Sequence, residues 1–308
     1  MQIQYDKKRT DITFCTMLFK VPDENRFGYL KHMDRKFENF YLPSLKKLIQ
    51  TFERVALWCD HETAEFLHRE KLDKNIMMRV MDFSELPHYA ERDDMLRIMN
   101  EMKRHRGFFL HRKTPQDWID YMMIINAKPA VIKWAAENNK FNSDYFMWID
   151  GGGMNAMYGS FWANWTGTIT AHPTRCRFTV HPTPARTRPH FVPNFIYKPF
   201  TQAQCRKIQP ATSETMVRQK LVDIAMINSD YDVPATSFMI PRKWATRFYE
   251  KFETVRLVMK KHHLVSTEQA VFQAMMKFDT DDMFEVVWIQ HYTGVYAAVA
   301  QQKPDCII

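Results

Sequence analysis

Short apolar runs rich in β-branched and aromatic residues alternate with stretches of helical spacing through the first half of this chain. That alternation limits the fold more than any other feature. Residues 11–18 (DITFCTML), 54–59 (RVALWC), 75–81 (NIMMRVM) and 145–149 (YFMWI) read as strands. Between them, 27–52 has helical spacing with a break before Pro43, and 61–70 is a short helix. Residues 91–106 read as a charged, exposed helix, and 117–138 as a helix broken at Pro129. Strands that alternate with helices predict an α/β sheet, mostly parallel and covered on both faces.

The second half is less regular. Residues 170–200 are rich in Pro, His, Arg and Thr and predict short strands and loops. A helix is expected over 212–228, a strand over 233–240 and an amphipathic helix over 242–262. A further helix starts at Ser266, and a late strand spans 284–289. In 308 residues this makes one large domain, a mixed Rossmann-like sheet flanked by helices.

Charge is uneven. The net charge is +8, yet residues 1–150 are nearly balanced, with 25 basic and 23 acidic side chains. From Gly151 to Ser213 there is no acidic residue, and Arg175, Arg177, Arg186, Arg188, Lys198, Arg206 and Lys207 stand there. A field of one sign attracts an anionic ligand. Five scattered cysteines without C-x-x-C spacing exclude a disulfide framework and a structural zinc site. With no apolar run of membrane-spanning length and no signal peptide in the first residues, the expected compartment is the reducing cytoplasm.

Glycine is scarce, at 8 residues, and three of them are consecutive at 151–153. They follow the apolar strand that ends in Asp150. In open α/β sheets, ligands bind at the carboxyl ends of the strands. Three further segments carry polar residues in suggestive places. Ala235-Thr236-Ser237 opens an apolar strand. Ser266-Thr267-Glu268-Gln269 reads locally as a capping box, with a Ser N-cap and Gln three residues later. His291-Tyr292-Thr293-Gly294 ends the last strand.

The order of these segments resembles that of the glycogenin-like, nucleotide-sugar-dependent glycosyltransferases of the GT-A fold. The overall pattern over 10–295 also resembles the HtrL/YibB-like proteins, with their Trp-Ile-Asp-[small]-Gly core, upstream Lys helix and Glu-Gln pair. The resemblance implies a GT-A-like fold and a transferase that takes a sugar from a nucleotide-diphosphate sugar, a UDP-sugar by default, to a glycan acceptor. It implies Mn²⁺ or Mg²⁺ held by Asp150 and His291. Lys128 would lie near the phosphates, with Gly151, Gly152, Ser237 and Gly294 lining the donor. Glu268 and Gln269 would face the sugar, and the strand ends at Thr16 and Asp60 would flank the nucleotide. Residues 1–153 would form the nucleotide-sugar-binding half and 154–308 the acceptor half, whose basic segment 170–210 suits an acidic acceptor. The sequence departs from the family where Gly152 replaces the second Asp of Asp-x-Asp.

Catalysis of such a transfer calls for a cation on the departing diphosphate. An inverting course needs a carboxylate base, for which Glu268 or Asp232 could serve; a retaining course needs none. Two other readings fit parts of the sequence. One is a catalytically degenerate nucleotide-binding relative on the same fold. The other is a nucleic-acid-binding protein that stacks bases on Phe178, Phe191, Phe195, Tyr197 and Phe200, though no nucleic-acid motif is present.

Overall fold

The computed structural model describes residues 11–21, 36–73, 76–106, 115–155, 173–182, 231–233 and 235–288. The expected helix at 212–228, His291, Gly294 and most of the basic segment lie outside the described residues.

The strands are β1 (Ile12–Leu18), β2 (Val55–Cys59), β3 (Ile76–Val80), β4 (Tyr145–Ile149), β5 (Cys176–Pro182), β6 (Tyr231–Asp232), β7 (Ser237–Pro241) and β8 (Phe284–Trp288). They form one sheet in the order β3-β2-β1-β4-β7-β5-β6, with β8 paired to β5. The pairs β3–β2, β2–β1 and β1–β4 are parallel, as is β5–β8. The pairs β4–β7, β7–β5 and β5–β6 are antiparallel. The sheet is therefore mixed within one domain. The expectation of a mostly parallel sheet holds for the first half and gives way at β4. There the next partner, β7, returns from far along the chain and runs the opposite way.

Seven helices are described: α1 (Leu42–Thr51), α2 (His61–Arg69), α3 (Arg92–Arg106), α4 (Pro115–Asn126), α5 (Lys128–Asn138), α6 (Ala245–Lys261) and α7 (Glu268–Lys277). Strand side chains alternate between faces, so each strand feeds two cores. One face buries Cys15, Met17, Ala56, Trp58, Phe146, Trp148 and Phe238 beneath the helices α3 to α7. The other buries Ile12, Phe14, Val55, Leu57, Met147, Ile149 and Met239 beneath α1 and α2. Helix α5 packs across β1 and β4 and against α6.

Several boundaries moved for physical reasons. The long helix breaks at Ala127, not at Pro129, because Pro129 fits the first turn of α5, where its missing N–H costs nothing. Pro43 likewise sits in the first turn of α1, which a π-helical turn (Phe37–Tyr41) precedes. Helix α3, expected to be exposed, buries Met95, Ile98, Met99 and Met102 along one face. The N-cap of α7 is Thr267 rather than Ser266, and its side chain makes no capping bond. Strand β7 begins at Ser237, after a turn at Ala235-Thr236.

Candidate functional site

Strand β1 joins β2 on one side and β4 on the other, while β2 and β3 continue outward from the first side. The crevice at the carboxyl ends of β1 and β4 is thus a topological switch point, the place where open α/β sheets bind ligands. Asp150 is the first residue beyond β4. Because Trp148 and Asp150 are two apart, they share a face, and that face lies beneath α5. Trp148 Nε1 donates to Asp150 Oδ1 at 2.7 Å.

The start of α5 puts Lys128 at the same carboxylate, with Nζ 2.8 Å from Asp150 Oδ1. Lys128 Nζ also donates to Glu268 Oε1 at 2.8 Å and to the Ala235 carbonyl at 2.9 Å. Glu268 is the first residue of α7, where a carboxylate suits the positive end of the helix dipole. Lys128 is 4% exposed and Glu268 3%, whereas the Asp150 side chain keeps 33%. Burial pushes the Glu268 carboxyl above its ordinary value, against the pull of Lys128. Burial also works to lower Lys128, but the charges of Asp150 and Glu268 outweigh it and raise the ammonium. The ammonium lies 5.5 Å from the centre of the Trp148 ring.

The structure thus brings Lys128, Asp150 and Glu268 into one hydrogen-bonded cluster from three separate elements. Gln269 follows in the first turn of α7, half-buried. Thr16 and Ser237 lie on the opposite face of the sheet. Their hydroxyls, with that of Thr179, are buried without a hydrogen-bond partner. Asp60 caps α2, accepting from Thr63 N at 2.8 Å, and its other oxygen accepts from Lys20 N. It therefore ties the end of β1 to the start of α2. In the sequence Trp148 stands in the Trp-Ile-Asp-[small]-Gly core and Ala235 at the head of a strand, with no role assigned there to the indole N–H or to the Ala235 carbonyl. Trp148 was legible from the two-residue strand period; the carbonyl had no signal.

The glycine loop packs on the protein itself. A Cβ on Gly151 would lie 2.8 Å from the Met17 carbonyl, and one on Gly152 would lie 2.9 Å from the Tyr41 ring. Met154 N donates to Ser44 Oγ at 3.1 Å, and Asn155 Nδ2 to the Phe40 carbonyl at 2.9 Å. These bonds fasten the loop to α1 and the turn before it.

Two cations of the basic segment have local partners. Arg175 pairs with Asp282, and buried Arg177 pairs with Glu285. Each is countered by a carboxylate, one pair at the surface and one buried, so the field of the segment is weaker than the sequence count suggests.

The described residues contain no group of three His, Cys, Asp or Glu side chains able to hold an ion. Asp150 Oδ1 and Glu268 Oε1 already face one ammonium. His291, the other expected ligand, lies outside the described residues.

Fold and cluster together define an α/β chain with a charged site at a switch point of its sheet. No protein-family model matches it, and no curated protein does. Among solved structures it is similar to 4-diphosphocytidyl-2C-methyl-D-erythritol synthase from Anaerococcus prevotii, at 11% identity and a TM-score of 0.38, over 92% of this chain and 91% of that one. It is also similar to mouse xyloside xylosyltransferase 1 in its apo form, at 12% identity and a TM-score of 0.34, over 90% and 85% of the two chains. Likeness at this level carries no argument about the site. No described helix is long and apolar enough to cross a membrane.

Proposed function

We propose that this chain is a transferase that moves a sugar from a nucleotide-diphosphate sugar, a UDP-sugar by default, to a glycan or other acceptor. One observation carries the reading: Lys128, Asp150 and Glu268, which the motif order singles out on separate segments, meet within 2.8 Å at the carboxyl end of β4. In this reading the loops after β1 and β2, beyond Leu18 and at Asp60, flank the nucleotide, with Thr16 two residues short of the end of β1, and Ser237, His291 and Gly294 belong to the donor side. Asp150, partly open to solvent, presents its remaining oxygen to the ligand. Glu268 and Gln269 stand on the sugar side.

Transfer breaks the bond from the anomeric carbon to the diphosphate oxygen, whose bonding pair leaves with the diphosphate, while the acceptor hydroxyl oxygen bonds to that carbon and gives its proton to a carboxylate base in an inverting course or to the departing diphosphate in a retaining one. Positive charge develops on the sugar ring. One ammonium against two carboxylates leaves the cluster net negative, which suits that charge.

A thermal-shift panel of UDP, GDP, CDP and dTDP tests the reading. A ligand at 100 times its dissociation constant stabilises by about 2.7 kcal/mol, which is readily seen. One diphosphate is expected to raise the Tm, and Asp150→Ala to abolish both that shift and sugar transfer while leaving the fold intact. The reading fails if no nucleotide shifts the Tm, or if Asp150→Ala turns over like its parent. A specific shift without turnover on any acceptor would favour the degenerate relative, a reading that Gly152 in place of a second Asp also supports.

A further inference from the structure

We infer that the Lys128 ammonium is the resident cation of this site, filling the place among Asp150, Glu268 and the Ala235 carbonyl that a divalent ion would take, so that the site works without bound metal. The inference concerns the cation alone and holds whatever ligand the crevice receives.

Stoichiometry of donors is the first argument. A lysine ammonium has three N–H donors and no acceptor. Lys128 has three oxygen partners, at 2.8, 2.8 and 2.9 Å. No donor is left for a phosphate, so Lys128 serves the protein's own oxygens.

Chemistry of the cage is the second. Two carboxylates and one carbonyl, open to solvent only on the Asp150 side, form the kind of hard-oxygen set that binds Mg²⁺ or Ca²⁺ elsewhere. Here the oxygens stand at N–H···O distance, longer than the roughly 2.0–2.6 Å of those metals. The cage is set for an ammonium.

Position is the third. A cation at the start of α5 opposes the dipole of that helix. A buried lysine there is tolerable only where other charges demand it, and Asp150 and Glu268 do. A metal ion on the free oxygen of Asp150 would share its carboxylate with this ammonium and be repelled by it.

The test uses metal alone, on the full chain. The parent is expected to show the same Tm in Mn²⁺ as in EDTA, and no loss of the free Mn²⁺ paramagnetic resonance signal on titration. Lys128→Ser removes the ammonium and leaves the oxygens. That variant is expected to gain one Mn²⁺ per chain, at least tenfold tighter than the parent, and a Tm rise of about 5 °C when the metal is 100-fold above its dissociation constant. Adding Glu268→Gln to Lys128→Ser is expected to remove the gain. Stoichiometric Mn²⁺ binding by the parent overturns the inference, even if the variant cannot be prepared. A folded Lys128→Ser that gains no metal overturns it too, as does a variant that Mn²⁺ cannot refold. No nucleotide enters these measurements, so the absence of any nucleotide shift would sink the transferase reading and leave this one standing.

Discussion

At the scale of single residues, the energetics turn on groups that the interior must answer. Removing one partner of a buried ion pair leaves an uncompensated charge and costs about 3–5 kcal/mol. Lys128→Met strips the counter-charge from two carboxylates at once. It is expected to lose stability in that range by urea unfolding, and Glu268→Gln on the same background to recover part of it. Gly151→Ala places a Cβ against the Met17 carbonyl, a backbone atom that cannot swing away. The expected loss is about 1–3 kcal/mol. Gly152→Ala meets ring edges of Tyr41 and Phe40, which can shift, and is expected to lose less. The sequence pointed to Asp150, Lys128 and Glu268 because each stands beside a strong local signal: a strand end, a Pro at a helix start, a helix head. Ala235 is visible only once the chain is folded, since what matters there is its carbonyl.

At the scale of elements, α3 and α6 are joined by charge as well as by apolar packing. Glu91, just before α3, accepts from Arg256 Nη2 at 2.9 Å and from Lys260 Nζ at 2.6 Å. Burial would raise its carboxyl, but these two cations outweigh burial and hold it at about 2, below the ordinary 4.5. A carboxylate whose folded value is depressed adds stability above its unfolded value and loses it as pH falls towards the folded one. Glu91→Gln is therefore expected to be less stable than the parent at neutral pH. Its deficit should shrink between about pH 4.5 and about pH 2 in an acid unfolding series. A deficit that ignores pH would mean the loss is one of packing. Helix boundaries were legible wherever capping chemistry is local, as at Asp60. They slipped where a proline admits two readings, as at Pro129, which suits a helix start as well as a break. The exposed reading of α3 slipped because its charged residues outnumber the four apolar ones on its buried face.

At the scale of the molecule, the two halves of the sheet meet at stacked rings, Trp148 on β4 against Phe238 on β7 with centroids 6.1 Å apart. Phe178 on β5 stacks on Phe238 on β7 with centroids 4.9 Å apart, and both touch Phe248 on α6 and Phe272 on α7. Phe272→Ala is expected to cost about 3–5 kcal/mol by chemical denaturation, with one cooperative transition retained. The parallel half was legible because each crossover is local in sequence; the antiparallel return of β7 was not, because pairing between distant segments leaves no local pattern. That return has a consequence for the cluster. In chain order β1 to β4 and α5 come first, and they hold both Lys128 and Asp150. Ala235 and Glu268 stand about a hundred residues or more further along, so two of the three donors of the ammonium depend on segments distant in the chain. The charged cluster is complete only when β7 and α7 are docked beside β4 and α5, so its intact geometry certifies that the distant segments have found their places.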